Sequence, residues 1–146
     1  MTPPPPQPVV LYAEDDENDV FLFERAVTKA GLAVRLVIVS DGTAAIDYLQ
    51  QAIADRQPFP ALVLLDLNMP RVSGLEVLAW ARLQPTLTAV PIVVFTSSMH
   101  ASDQAEARRL GVAAYAIKPS HPQDAIAFAR SLARFLSPPP SGARSP

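Results

Sequence analysis

The sequence lacks several features that would assign a protein at once to a large class. It contains no cysteine, which excludes disulfide bonds, thiolate metal sites and a cysteine nucleophile, and favours a reducing compartment such as the cytoplasm. It has five glycines, and neither the G-x-G-x-x-G nor the G-x-x-x-x-G-K-[ST] pattern of a phosphate-binding loop occurs. No apolar run approaches the roughly 20 residues of a membrane span, and the amino terminus does not have the pattern of a signal peptide. These absences predict a soluble, cytoplasmic protein.

An excess of either charge is also missing. Twelve basic side chains stand against fourteen acidic ones, giving a net charge of −2. The chain therefore has no overall positive field that would hold nucleic acid or an anionic membrane, and we expect neither partner. The length of 146 residues, 49% of them apolar, is enough for one folded domain with a buried core.

Proline is concentrated at the two ends of the chain. Of the sixteen prolines, five lie in residues 1–8 and four in residues 137–146. Such segments favour extended conformations and bury little apolar surface, which predicts disordered tails around a single domain at residues 9–136. A proline run can also dock in an aromatic groove of a partner, and that alternative stays open.

Between the tails, short apolar runs alternate with helical patterns. This alternation predicts an α/β fold with a parallel sheet covered by helices on both faces, the last helix running from Pro122 to about Leu136. The second and fifth runs are the least continuous and are candidates for the sheet edges. The predicted strands cover residues 9–13, 34–39, 61–65, 92–95 and 113–117.

Acidic residues follow the first and third predicted strands. Residues 14–17, EDDE, suit a hard divalent cation such as Mg²⁺, or alternatively cap the next helix and interact with its dipole. Asp66 comes directly after five apolar residues, where a carboxylate is costly unless it is paired or functional. Because the carboxyl ends of parallel strands share one edge of the sheet, we expect Asp15, Asp16 and Asp66 to hold Mg²⁺ together. Asp66 then becomes a candidate nucleophile for a phosphoryl group.

A hydroxyl and an amine follow the fourth and fifth predicted strands. Thr96 ends the fourth strand, and Lys118 follows the fifth. Each has an ordinary explanation alone, because strand ends often carry turn-forming hydroxyls and a single lysine is usually solvated. Together with the acidic residues they provide the hydrogen bonding and charge neutralisation that phosphoryl transfer requires.

In these positions the sequence resembles the receiver domains of two-component response regulators. The D-x-x-M-P-x-x-x-G pattern beginning at Asp66 is typical of that family, and the resemblance spans about residues 8–136. Residues 14–24, 41–49 and 50–60 are similar to single-domain receivers that work with bacterial phytochrome-type sensor kinases. The resemblance implies a metal site formed by the acidic pair Asp15 and Asp16, by Asp66 and by the backbone carbonyl of Asn68. It implies that Asp66 is the phosphoacceptor, that Lys118 is the catalytic lysine and that Pro119 follows a cis peptide bond. It implies that Thr96, which also takes part in catalysis, and Tyr115 are the switch residues.

The resemblance also implies a topology and a signalling function. The sheet order would be the flavodoxin-like 2-1-3-4-5. A sensor histidine kinase, for which a bacteriophytochrome is the candidate, would phosphorylate the domain with Mg²⁺ or Mn²⁺, and the domain would catalyse its own phosphorylation and dephosphorylation. The signal would pass to an unknown protein through the face of helix 4, strand 5 and helix 5, since no output domain is expected after the last helix. Phe128, Phe135 and Leu136 cannot all face one core stripe, so some of them face a partner or a second copy, or are partly exposed as single apolar surface residues often are. The resemblance to this subgroup favours a homodimer through this face.

Two other functions compete with this interpretation. A phosphatase of the haloacid dehalogenase type also uses an aspartate at a strand end, but it needs a second aspartate two residues later, where this chain has Asn68. The chain also lacks room for a substrate-covering cap. A receiver fold that serves as a scaffold or binding module without phosphorylation remains the alternative, although all the chemical positions are occupied.

Overall fold

The computed structural model describes residues 6–136, so residues 1–5 and 137–146, which belong to the predicted tails, lie outside the described part of the chain. The strands are β1 (Val9–Ala13), β2 (Arg35–Val39), β3 (Pro60–Leu65), β4 (Ile92–Thr96) and β5 (Ala114–Ile117). The helices are α1 (Glu17–Ala30), α2 (Gly42–Ile53), α3 (Gly74–Arg82), α4 (Ala101–Arg109), α5 (Pro122–Ser131) and α6 (Ala133–Leu136), with a short 3₁₀ helix at Pro85–Leu87.

The strands form one parallel sheet in the order β2-β1-β3-β4-β5. This confirms the predicted fold class and strand order, and it places the two less continuous strands at the edges. The residues of β1 and β4 are buried throughout, as expected for strands covered on both faces. Because all strands point the same way, their carboxyl ends share one edge.

Local sequence signals set most helix boundaries. Gly31 has φ 70° and ends α1 in a left-handed cap. Asp41 caps α2, and Ser73 with Glu76 forms the predicted capping box of α3. The final helix differs from the prediction of one continuous element, because α5 ends at Ser131 and the amide of Leu132 bonds to Ala129, which tightens the turn before α6.

Two apolar cores lie on the opposite faces of the sheet. One is mainly aliphatic and packs against α2, α3 and α4. The other, against α1 and α5, contains an aromatic group in which Phe95 stacks on Phe128 with ring centroids 4.2 Å apart. Phe128, Phe135 and Leu136 all pack against this second core and are partly buried, so one core receives all three once the chain turns before α6. The homodimer through this face stays a prediction.

Close packing fixes the loops at the carboxyl edge. A Cβ on Gly74 would lie 2.2 Å from the carbonyl oxygen of Asp66, so this position accepts only glycine without movement of the backbone. The start of α3 is thereby held directly against the end of β3. Among the helices of residues 6–136, none combines the length and the apolar character needed to cross a membrane.

Candidate functional site

The first carboxylate of the site is Glu14, one residue earlier than the sequence predicts. Glu14 follows β1 directly and is 2% exposed. Its Oε2 accepts a hydrogen bond from the amide of Asp16 at 3.1 Å, and its Oε1 accepts one from the Tyr12 hydroxyl at 3.3 Å. The backbone amide of Glu14 donates to Val39, so the sheet itself holds this residue at the edge.

Asp16 is the N-cap of α1. Its Oδ1 accepts hydrogen bonds from the amides of Asn18 at 2.8 Å and Asp19 at 3.0 Å. These bonds satisfy amide groups that have no partner within the helix. The structure therefore contradicts the assignment of Asp16 to the metal pair, because its carboxylate is directed to the helix end and Glu14 takes its place.

Glu14, Asp15 and Asp66 form a cluster of carboxylates. Each offers an oxygen that lies within 4.8 Å of the others. Asp66 is 3% exposed and Asp15 is exposed, so the cluster is buried on one side and open on the other. Three oxygen ligands with an open side fit a divalent cation such as Mg²⁺ or Mn²⁺, which completes its shell with water or a phosphoryl oxygen. The signal for Glu14 was in the sequence, since it is the first residue after the strand.

Lys118, at the end of β5, faces this cluster. Its Nζ lies 2.5 Å from Oε1 of Glu14, 2.7 Å from Oδ2 of Asp19 and 3.4 Å from Oδ2 of Asp66. The topology thus brings the predicted lysine to the predicted aspartate. Asp19, in the first turn of α1, is a member of the site that the sequence analysis missed.

The peptide bond between Lys118 and Pro119 is trans. Within residues 6–136 there is no cis peptide bond, which contradicts the expectation for Pro119. The trans form is favoured by about 0.5–1 kcal/mol for a bond before proline. In this form Lys118 reaches all three of its carboxylate partners.

Thr96 and Tyr115 both contact the loop after β4. Thr96 is fully buried, and its Oγ1 accepts a hydrogen bond from the amide of Ser98 at 3.2 Å. The Tyr115 hydroxyl donates to the carbonyl of Ser98 at 2.9 Å. Ser98 in turn donates from its hydroxyl to Asp103 of α4 at 2.6 Å. A movement of Thr96 would therefore change the hydrogen bonds that Ser98 makes with Tyr115 and with the start of α4.

Burial and charge set the protonation of the site. Burial raises the pKa of Glu14 to about 7, although the hydrogen bond from Lys118 opposes this. Burial alone lowers the pKa of Lys118, but the hydrogen bonds to Asp19 and Glu14 and the charge of Asp66 outweigh it and raise the pKa. Burial and the charge of Glu14 raise the pKa of Tyr12, which stays a neutral donor. Lys118 therefore stays protonated and provides a permanent positive charge among the carboxylates.

A cleft between α1 and α5 borders the site. Its volume is about 260 Å³, and its lining includes Asp19, Phe23, Lys118 and Ile126. Phe21 and Leu22 of α1 are 55% and 45% exposed beside it.

Comparison with known proteins agrees with this geometry. The family model for response regulator receiver domains matches residues 10–130. Response regulator Rcp1 of Synechocystis sp. is 34% identical over 131 residues, which cover 89% of this chain and 89% of Rcp1.

Solved structures of phytochrome response regulators have the same fold. The phosphorylated cyanobacterial phytochrome response regulator RcpA is 30% identical with a TM-score of 0.80, covering 89% of this chain and 94% of RcpA. The Mn²⁺-bound form of Rcp1 gives a TM-score of 0.78 at 34% identity, covering 89% and 94% of the two chains. The bacteriophytochrome response regulator AtBRR is 36% identical with a TM-score of 0.73, covering 90% and 94%.

Proposed function

Because the chain belongs to the response regulator receiver family, the phosphoacceptor domains of two-component signalling, we propose that Asp66 accepts its phosphoryl group from a sensor histidine kinase. The observation that carries this proposal is the position of Asp66. It is a buried carboxylate that shares a cluster with Glu14 and Asp15 and lies 3.4 Å from the ammonium of Lys118. The carboxyl edge of the sheet therefore brings together a nucleophile, a place for a divalent cation and a permanent positive charge.

The transfer step follows from these groups. An oxygen of Asp66 attacks phosphorus, the P–N bond of the phosphohistidine breaks, and its electron pair stays on the imidazole nitrogen, which takes up a proton from solvent. Lys118 and the Thr96 hydroxyl stabilise the negative charge on the phosphoryl oxygens. Hydrolysis of the resulting acyl phosphate by water regenerates Asp66. Self-catalysis of both steps is part of the proposal.

Glu14, Asp15 and Asp66 are the side chains that would hold the cation. The amide of Asn68 donates to Asp66 at 3.3 Å, so the Asn68 backbone lies beside the cluster, and we include its carbonyl as a ligand. The bound cation, Mg²⁺ or Mn²⁺, neutralises charge on the carboxylates and on the phosphoryl oxygens. The Mn²⁺-bound form of Rcp1 supports a divalent ion in this family.

The output of the domain is a change in protein contacts. A phosphoryl group that binds the Thr96 hydroxyl disturbs the hydrogen bond from Ser98, whose carbonyl holds Tyr115. The surface of α4, β5 and α5 would change with it. Ile117 and Met99 are 40% and 73% exposed near that surface, and either a downstream protein or a second copy of the chain would bind there.

The kinase would dock on the other side of the site. The exposed Phe21 and Leu22 of α1 and the cleft lined in part by Lys118 would provide the contact surface, and Lys118 joins that cleft to Asp66. The similarity to RcpA, Rcp1 and AtBRR favours a phytochrome-type kinase as the partner. Such a kinase draws its phosphoryl group from ATP, which is consistent with a cytoplasmic location.

Intact mass spectrometry tests the chemistry directly. We expect incubation with acetyl phosphate and Mg²⁺ to add one phosphoryl group to the wild type. No addition should occur in Asp66→Asn or after removal of the divalent metal. Asp47→Asn, an exposed aspartate on α2, is a matched control and should be phosphorylated normally. If the wild type gains no phosphoryl group, or gains one that does not depend on Asp66, the result would instead support a scaffold that works without phosphorylation.

A further inference from the structure

Asp19 differs from the other carboxylates that surround Lys118. Its Oδ2 lies 2.7 Å from Nζ of Lys118, closer than Oδ2 of Asp66 at 3.4 Å. Asp19 does not belong to the cluster formed by Glu14, Asp15 and Asp66. Asp19 is therefore not one of the carboxylates that would hold the cation, and its contact in the structure is with Lys118.

A phosphoryl group on Asp66 needs the same ammonium that Asp19 binds. The group brings additional negative charge to the strand end, and a carboxylate close to Lys118 both competes for the lysine and repels that charge. We propose that Asp19 is a positioning residue that keeps Lys118 away from Asp66 in the unphosphorylated chain. It thereby lowers the affinity of the site for the phosphoryl group. This inference rests on the proposed function of Asp66.

Exposure explains why Asp19 is the partner that Lys118 can leave. The Asp19 side chain is 31% exposed, whereas that of Glu14 is 1% exposed. Water can solvate the Asp19 carboxylate once the lysine has moved, so the contact is easily replaced. The Glu14 side chain is almost completely shielded from water, so water cannot replace Lys118 there in the same way. Lys118 therefore pivots about Glu14 when it turns from Asp19 to the phosphoryl group.

Two variants in the first turn of α1 separate this role from a general charge effect. Asp19→Asn keeps the size of the side chain and removes its charge. Glu17→Gln removes one negative charge from the same turn, but Glu17 is exposed, and the ion pairs of Lys118 are with Glu14, Asp19 and Asp66. Both changes weaken the favourable interaction with the helix dipole to a similar extent.

The affinity for beryllofluoride, a phosphoryl mimic, measures the effect at equilibrium in the presence of Mg²⁺. We expect Asp19→Asn to bind it roughly two- to fivefold more tightly than the wild type, and more tightly than Glu17→Gln. If Asp19→Asn binds no more tightly than Glu17→Gln, the inference is wrong. If the wild type itself does not bind the mimic, or if Asp66→Asn binds it equally well, the proposed function fails and the inference with it.

The lysine signals provide a second test that needs no phosphoryl group. The chain has only two lysines, Lys118 and the exposed Lys29, so ¹⁵N-lysine labelling gives two side-chain resonances with an internal reference. We expect Asp19→Asn to increase hydrogen exchange at the Lys118 ammonium several-fold and to leave Lys29 unchanged. An unchanged Lys118 signal would show that Asp19 does not hold the lysine and would overturn the inference.

Discussion

Lys118 and Arg82 are two partly buried cations with different kinds of partner. The ammonium of Lys118 is surrounded by carboxylates at the carboxyl edge of the sheet. The guanidinium of Arg82, at the end of α3, donates instead to three backbone carbonyls, those of Leu87 at 3.3 Å, Thr88 at 3.1 Å and Val90 at 3.0 Å. Burial lowers the pKa of Arg82, whereas the pKa of Lys118 is raised.

Lys118 and Arg82 have different roles because their partners differ. The three carbonyls lie close together along one loop and all accept from the same guanidinium, so Arg82 fastens the connection between α3 and β4 in one conformation. Carboxylates can exchange a lysine for a metal ion or for water, so the partners of Lys118 can change during a reaction. We expect loss of Lys118 to affect chemistry and loss of Arg82 to affect stability.

Replacement of Lys118 should have the largest effect. Lys118→Met removes the fixed positive charge beside Asp66, and we expect phosphorylation by acetyl phosphate to slow about a hundredfold or more, by analogy with the loss of one transition-state donor. The rate is followed by intact mass. Lys29→Met, which changes the other lysine of the chain, is the matched control and should react at the wild-type rate. A Lys118→Met variant of normal reactivity would remove the lysine from the mechanism.

Replacement of Arg82 should affect stability while leaving the chemistry intact. Arg82→Met leaves three carbonyls without their charged donor, and we expect the free energy of unfolding to fall by about 2 kcal/mol. Denaturant titration measures the change, with the exposed Arg108→Met as control. The phosphorylation rate should stay within twofold of the wild type. A loss of reactivity as large as that of Lys118→Met would show that the two cations do not differ in role.

The strands and most helices were predictable because their signals are local, whereas the strand order came from the resemblance to receiver domains. Unbroken apolar runs such as residues 9–13 indicate strands covered on both faces, and Ser73 with Glu76 marks a helix start whatever its surroundings. The separation of α5 from α6 was not predictable in this way. Apolar residues continue at helical spacing through Leu136, and only the backbone hydrogen bond from Leu132 to Ala129 shows that the helix is interrupted there.

The site was predictable in composition but not in full geometry. Motif order identified Asp66, Thr96 and Lys118, because residues at strand ends converge whenever the sheet is parallel. In the run of four acids at residues 14–17, capping and metal binding both fit, and a shift of one residue exchanges Glu14 for Asp16. Asp19 lies in a helix, and its contact with Lys118 joins residues 99 positions apart, so no spacing in the sequence indicates it.

Asp15 and Asp16 are neighbours, but only Asp15 belongs to the cluster whose carboxylates can bind a metal ion in place of Lys118. Asp15→Asn should weaken the affinity for Mn²⁺ at least about tenfold, since it removes a carboxylate from the cluster. Asp16→Asn should change the affinity less than twofold, because asparagine caps a helix as well as aspartate does. Calorimetric titration measures both. Equal losses in the two variants would return Asp16 to the metal pair.

The smallest effect is expected at Arg71, a cation that is neither buried nor held by backbone carbonyls. Its guanidinium lies 3.6 Å from the carboxylate of Asp41, its side chain is 76% exposed, and its backbone has φ 68°. An exposed ion pair of this kind contributes little, whereas a left-handed backbone disfavours any residue except glycine. We expect Arg71→Gly to raise the free energy of unfolding by about 0.5 kcal/mol, after the greater flexibility of glycine in the unfolded chain is subtracted. Arg71→Ala, which loses the ion pair but keeps the strained backbone, should not be more stable than the wild type. Denaturant titration measures both variants. If Arg71→Gly and Arg71→Ala lose stability equally, the ion pair between Arg71 and Asp41 contributes more than its exposure predicts. The kind of partner would then not be enough to explain the different roles of the cations in this protein.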